Sequence, residues 1–175
     1  MARYEAGEHQ PVLSAAVELA GALGISLAQL AGQAPDGPDL TGEWWSAWQT
    51  FREGVEQLAC QPVRFSQEGN EIEVAAMARG LTDEQGGGYL WRGELRLWDN
   101  EILMGWYAAT DGAVRSKGTM YFVLHPHGLP LLGRWVGLSY DGKIVTGWAA
   151  IAKAEDELPE LVESLKETGG TSPSL

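Results

Sequence analysis

Between residues 41 and 152 apolar and polar residues alternate in short runs, and each run stops at a turn-forming pair. A period of two fits a strand with one buried face and does not fit a helix, so this pattern constrains the fold more than any other feature. In residues 88–98, Tyr89, Trp91, Gly93, Leu95 and Leu97 share one face while Arg92, Glu94 and Arg96 share the other; the first set is expected inside. Eight such runs are read, at about 41–51, 61–67, 71–79, 88–98, 101–109, 115–125, 131–140 and 143–152. Between them stand Glu68-Gly69-Asn70, Gly86-Gly87-Gly88, Asp99-Asn100, Asp111-Gly112, Pro126-His127-Gly128 and Asp141-Gly142. Connections this short join antiparallel neighbours. Eight strands of roughly ten residues match the size at which a meander closes into an up-and-down barrel. The expected fold is therefore mainly β, an eight-stranded antiparallel barrel with short N-terminal helices and one C-terminal helix. A two-sheet sandwich or a curved open sheet satisfies the same pattern with a different closure.

Composition says what fills such a barrel. Gly (23) and Trp (8) are both abundant, and glycine lets bulky indoles lie against backbone. On the first strand Trp44, Ser46, Trp48 and Thr50 share a face; on the seventh Gly133, Trp135, Gly137 and Ser139 do. Trp106 and Trp148 each follow a glycine. Trp44, Trp48, Trp91, Trp106, Trp135 and Trp148 are expected to converge on the interior, and with Tyr121 and Arg134 they form the candidate ligand-binding set. Small residues between indoles leave gaps that suit a planar or lipophilic small molecule. Alternatively the indoles fill a small barrel by themselves.

Other polar groups offer less. Arg64, Arg79, Arg115 and Arg134 lie on or at the edges of strands, where they either meet an anionic ligand group or sit outside among the carboxylates. His125 and His127 are two apart, but Pro126 and Gly128 mark a turn and no third ligand stands nearby, so no metal is expected. Asp36, Asp39 and Glu43 read as linker and surface charge. The run Gly86-Gly87-Gly88 lacks the lysine and following helix of a phosphate loop and reads as a hairpin tip, a flap at one mouth of the barrel. No nucleophile set or acid–base pair stands out, so neither an enzyme nor a cofactor is expected.

The chain divides at residues 34–40, where two prolines, a glycine and two aspartates make a linker. Residues 1–33 form an N-terminal helical segment, 41–153 the barrel, 154–168 a helix and 169–175 a disordered tail. In the last helix Leu158, Leu161, Val162 and Leu165 form one stripe after Pro159; it either plugs the barrel, packs on it, or binds a partner. Cys60 is alone, so no intrachain disulfide exists, and it reads as a small buried hydrophobe. No stretch reads as a secretory signal or a membrane span, which makes the expected location cytoplasmic with no membrane partner.

Two resemblances add to this reading. Arg3-Tyr4-Glu5-Ala6-Gly7, Pro11, Ala22-Leu23-Gly24 and Ser26-Leu27-Ala28-Gln29-Leu30 make residues 2–32 similar to the C-terminal half of an Xre/Cro-like helix-turn-helix domain. That resemblance implies a transcriptional regulator, a homodimer, and DNA contact at Arg3 and Tyr4. The groove-reading helix of such a domain is incomplete here, so DNA contact is expected only through a part N-terminal to this chain. A net charge of −12 argues against a large phosphate-binding surface, and residues 1–33 carry Arg3 against Glu5, Glu8 and Glu18. In the barrel, Gly42-Glu43-Trp44 resembles the Gly-x-Trp opening of calycins, the lipocalin and avidin group, which implies a lumen for one small ligand.

Together these imply the ligand-sensing domain of an Xre-like regulator, binding a small apolar or aromatic molecule that biases operator affinity. The alternative is a stand-alone small-molecule-binding or protein-interaction barrel with no DNA role.

Overall fold

Each strand pairs antiparallel with the next, and the eighth returns to the first, closing the barrel. The computed structural model describes residues 12–23, 27–31, 37–112, 114–124, 130–139 and 142–170. The strands are β1 (Gly42–Arg52), β2 (Val55–Glu68), β3 (Glu71–Ala76), β4 (Trp91–Trp98), β5 (Ile102–Ala109), β6 (Lys117–Leu124), β7 (Leu131–Leu138) and β8 (Ile144–Ala152). Ahead of them come helices α1 (Leu13–Leu23) and α2 (Leu27–Leu30), and after them α3 (Leu158–Thr168). Contacts divide the chain into Met1–Gly37 and Pro38–Leu175. Arg3, Tyr4, Gly7, Pro11, Gly24, Ser26, Asp36, His125, His127 and the last five residues lie outside the described residues, as do residues 34–36 of the expected linker.

The main departure from the expected strands is β2. It starts at Val55 rather than near 61, because Glu53 and Gly54 make a two-residue turn with φ of 52° and 82° that pairs Arg52 with Val55. Turns left-handed at both central residues match the twist of the flanking strands. Glutamate seldom adopts that conformation, so its pairing with glycine does not advertise a hairpin.

One end of the barrel is closed. Leu40 is buried in the same core cluster as Trp44, Phe65, Leu97 and Leu131, and its amide donates to Gln67 Oε1 at 2.7 Å. Trp44 Nε1 donates to the Leu40 carbonyl at 2.8 Å, which ties the lead-in to β1 across the floor. Lys153 Nζ stands 3.5 Å from the Trp44 ring centroid and donates to the Glu43 carbonyl, so a cation caps the floor from outside.

Helix α3 lies on the outer wall over β8 and β1 and does not plug the lumen. Ala47, Ala150 and Ala152 keep that wall low, and Leu158 and Val162 pack onto it beside Trp45, Leu58, Cys60 and Trp148. Cys60 is half-buried there, and burial pushes its thiol above the ordinary range. Pro159 occupies the first turn, and Gly169, left-handed at φ 66°, ends the helix.

Candidate ligand cavity

Opposite the closed floor, the lumen holds a cavity of about 80 Å³. The strands supply Trp48 and Thr50 (β1), Ala59 and Gln61 (β2), Trp91 (β4), Tyr107 (β5), Met120 (β6) and Trp135 (β7). The β3–β4 loop, residues 77–90, adds Gly80, Leu81, Gly88 and Tyr89 at the mouth.

Four of the rings form a continuous edge-to-face series. Trp48 meets Trp91 at 5.3 Å between centroids and 90°, Trp91 meets Tyr107 at 6.2 Å, and Tyr107 meets Trp135 at 6.3 Å. Below them Trp48 also stands edge-on to Phe122 at 5.9 Å, where the solid core begins. Edge-to-face contacts set the positive rim of one ring against the negative face of the next, which holds the walls in one geometry.

The polar groups of this end are paired among themselves. Ser46 Oγ accepts from Trp48 Nε1 at 3.0 Å and donates to the Gln61 carbonyl at 3.1 Å. The hydroxyls of Tyr89 and Ser116 are 2.6 Å apart, and Tyr107 joins them. Burial pushes both tyrosine hydroxyls above their ordinary range, which keeps them neutral. Among the described residues no buried side-chain nitrogen or oxygen lacks a partner.

The loop over the mouth is anchored from two sides, by the β5–β6 loop and by β2. Arg79 donates to the Gly88 carbonyl at 3.0 Å and pairs with Asp111 of the β5–β6 loop at 2.8 Å. The Cys60 amide donates to the Gly80 carbonyl, and the Thr110 amide donates to Leu90. Gly86, Gly87 and Gly88 all have positive φ, so this tip is a turn that other residues would strain, and it does stand at one mouth.

Of the expected ligand-binding set, the structure brings Trp48, Trp91 and Trp135 to the cavity and puts Trp44 in the floor beneath it. It turns the other four away. Trp106 faces outward, 38% exposed, with its Nε1 donating to Glu94 Oε2 at 3.2 Å. Tyr107 takes the inward position next to it. Tyr121 points out because Met120 and Phe122 point in. Arg134 is also outside, its guanidinium 4.3 Å from the centroid of Trp148, and Trp148 is part of the outer cluster under α3. Strand alternation decides all four, and a neighbouring glycine does not override it. Arg64, on Glu43, and Arg115 are exposed as well.

Gln61, Tyr107 and Met120 were not in the expected set. Gln61 opens the expected strand 61–67, and its alternation with Val63 and Phe65 marks it as inward; Ala59, also in the lining, lies in the part of β2 that the expected strand leaves out. Tyr107 sits on a strand that is apolar on both faces, where alternation carries no sign, while Met120 lies on the face opposite Lys117 and Thr119 and its inward direction is legible from them.

The fold and this cavity define an eight-stranded up-and-down barrel, floored at one end and lined with aromatic rings at the other. Among solved structures the chain is similar to a redesigned β-barrel, mFAP1, determined bound to DFHBI, with a TM-score of 0.47 and 14% identity over 66% of this chain and 94% of that one. No protein-family model and no curated protein matches the sequence.

Proposed function

We propose that this barrel binds a small, neutral, flat molecule at the open end of its lumen. The observation that carries the reading is a gap walled by Trp48, Trp91, Tyr107 and Trp135 whose lining holds no charged side chain. A charged ligand would lose its hydration there without gaining a counter-ion, a cost of several kcal/mol. Size narrows the choice further. An apolar cavity of roughly 150 Å³ takes up benzene. At about 80 Å³ the space accommodates part of one ring, and the rest of the ligand leaves through the mouth beside Leu81 and Tyr89. A lining of this chemistry supports binding rather than catalysis.

Naphthol, naphthoate and naphthylmethylamine test the charge rule on one frame. Naphthol is expected to quench tryptophan fluorescence saturably and raise the Tm; the charged pair should do neither. Ala59→Phe fills the mouth without removing a wall and should abolish the effect. Equal binding of all three probes, or naphthol binding unaffected by Ala59→Phe, would overturn the proposal.

The regulatory role is a finer reading, supported by the resemblance of residues 2–32 to an Xre/Cro-like domain, and it carries with it a cytoplasmic location. Under it, ligand in the barrel changes operator affinity through a DNA-reading domain of which residues 2–32 resemble the C-terminal half. The 175-residue chain alone is then expected not to bind duplex DNA specifically, for its net charge is −12. Fluorescence anisotropy against a selected oligonucleotide pool decides this, and salt-sensitive nanomolar binding would contradict it. The stand-alone barrel shares the lumen and differs only in having no DNA role.

A further inference from the structure

We propose that Gln61 is the polar anchor of the lumen, and that the ring it selects carries an N–H and a C=O on neighbouring positions, as a lactam does. This rests on the reading of the lumen as a ligand site and says which neutral, flat molecules it takes. Gln61 is the exception among the polar groups of this end. It lines the cavity and is 4% exposed, yet among the described residues its carboxamide has no hydrogen-bond partner. Neither amide atom is sealed off, so both open on the cavity. By contrast, Ser46 is bonded to the Trp48 indole and the Gln61 main chain, and Tyr89, Tyr107 and Ser116 bond one another. Buried polar groups are rarely left unpaired, and a carboxamide holds an acceptor and two donors in one plane.

Register places this amide where a ligand would meet it. Gln61 pairs with Ser46, between the Trp44–Val63 pair at the floor and the Trp48–Ala59 pair of the cavity wall. It therefore stands at the inner end of the cavity, where the leading edge of an inserted ring arrives. Gly80 leaves room for its head, since a Cβ there would lie 3.2 Å from Gln61 Oε1, and the Gly80 carbonyl accepts from the Cys60 amide, which holds that segment against β2. A carboxamide pairs edge to edge with a group that returns one donor and one acceptor, the geometry by which glutamine reads an adenine edge. A lactam does this and stays neutral, as a lining without charged side chains requires.

Quinolin-2-one and N-methylquinolin-2-one test the proposal on the full chain, because they share a frame and a carbonyl and differ in the N–H. Tryptophan quenching is expected to show roughly tenfold tighter binding of the N–H form, the worth of one or two neutral hydrogen bonds. Gln61→Met conserves volume and removes the amide, so it should bring the two affinities together by weakening the N–H form alone. The variant should keep at least the wild-type Tm, since the group it removes is unpaired. A large fall in Tm would assign Gln61 to the fold and overturn the proposal. A preference that survives Gln61→Met would also overturn it, for shape would then be excluding the methyl group. So would equal binding of the two probes to the wild type, or binding of neither. In those last two cases naphthol separates the failures: if it binds, the anchor alone is wrong, and if it does not, the lumen reading falls as well.

Discussion

The indole nitrogen of Trp135 donates to the main-chain carbonyl of Gln49 at 3.0 Å, across 86 residues of sequence. The β1–β8 ladder pairs only Trp45 to Trp48 with Ala152 to Ala149. Past Trp48 the two strands part, and side chains replace the missing rungs: the Trp135 indole on Gln49 O, and Gln49 Oε1 on the Trp148 amide at 3.0 Å. Gly147 makes this possible, for a Cβ there would lie 2.1 Å from Gln49 O and 2.8 Å from Trp135 Nε1. One ring thus walls the cavity and also closes the barrel at its open end.

Breaking that closure should cost stability in two distinct ways. Trp135→Phe leaves the Gln49 carbonyl short of its donor and is expected to lose about 1–3 kcal/mol in urea unfolding. Gly147→Ala keeps every hydrogen-bonding group yet forces β8 off β1, and a loss of about 1–3 kcal/mol is expected there as well. Wild-type stability in either variant would show that the seam closes without them.

Inward and outward tryptophans should differ sharply. Trp48→Ala removes a ring packed on both Trp91 and Phe122, and about 3–5 kcal/mol is the expected loss. Trp106→Ala removes a ring on the outer surface, where less than about 1 kcal/mol is expected. Parallel denaturant titrations of the two variants read this directly.

The hydroxyls of Tyr89 and Tyr107 have pKa values raised by burial. A raised value means that the folded state holds its protons longer than the unfolded one. The stability these groups contribute is complete below the unfolded value of about 10 and is lost as pH climbs through the folded value. Alkaline titration should therefore show phenolate absorbance from these two only together with loss of the near-ultraviolet circular dichroism. Phe substitution at Tyr107 should remove one of those late-ionising groups; ionisation of both tyrosines in a still-folded barrel would contradict the assignment.

Glu53 is held left-handed at φ 52° at the β1–β2 turn. Asparagine tolerates that conformation better, so Glu53→Asn is expected to stabilise the barrel by about 1 kcal/mol, seen as a raised midpoint with an unchanged slope in urea. A fall in the midpoint would mean that Glu53 contributes more than its backbone angle costs.

Where a strand has one charged face, the sequence alone settled its orientation. WRGELRLW puts Arg92, Glu94 and Arg96 in water, which leaves Trp91, Leu95 and Leu97 for the core, as the structure has them. The same holds for the α3 stripe, whose Leu158, Val162 and Leu165 are buried. ILMGWYAA has no such face, because its outer side is apolar too, and in KGTMYFVL the outer Lys117 and Thr119 are followed by Tyr121 and Val123, which are as apolar as the inner side. That is why Trp106 and Tyr121 could be taken for lumen residues while Tyr107 was passed over.

Period-two patterning and turn chemistry thus determined eight antiparallel strands in outline, since both are local properties that a chain carries before it folds; a sandwich or an open sheet fits the same pattern, and the pairing of β8 with β1 is what closes the barrel. Which tryptophans share a cavity was decided only in three dimensions. Trp148, turned outward by alternation, is shielded because α3 comes back to cover β8 from outside, and the Trp135 indole reaches the Gln49 carbonyl because β8 parts from β1 at Gly147. Both depend on residues distant in sequence meeting across the barrel wall, and no local period encodes such a meeting.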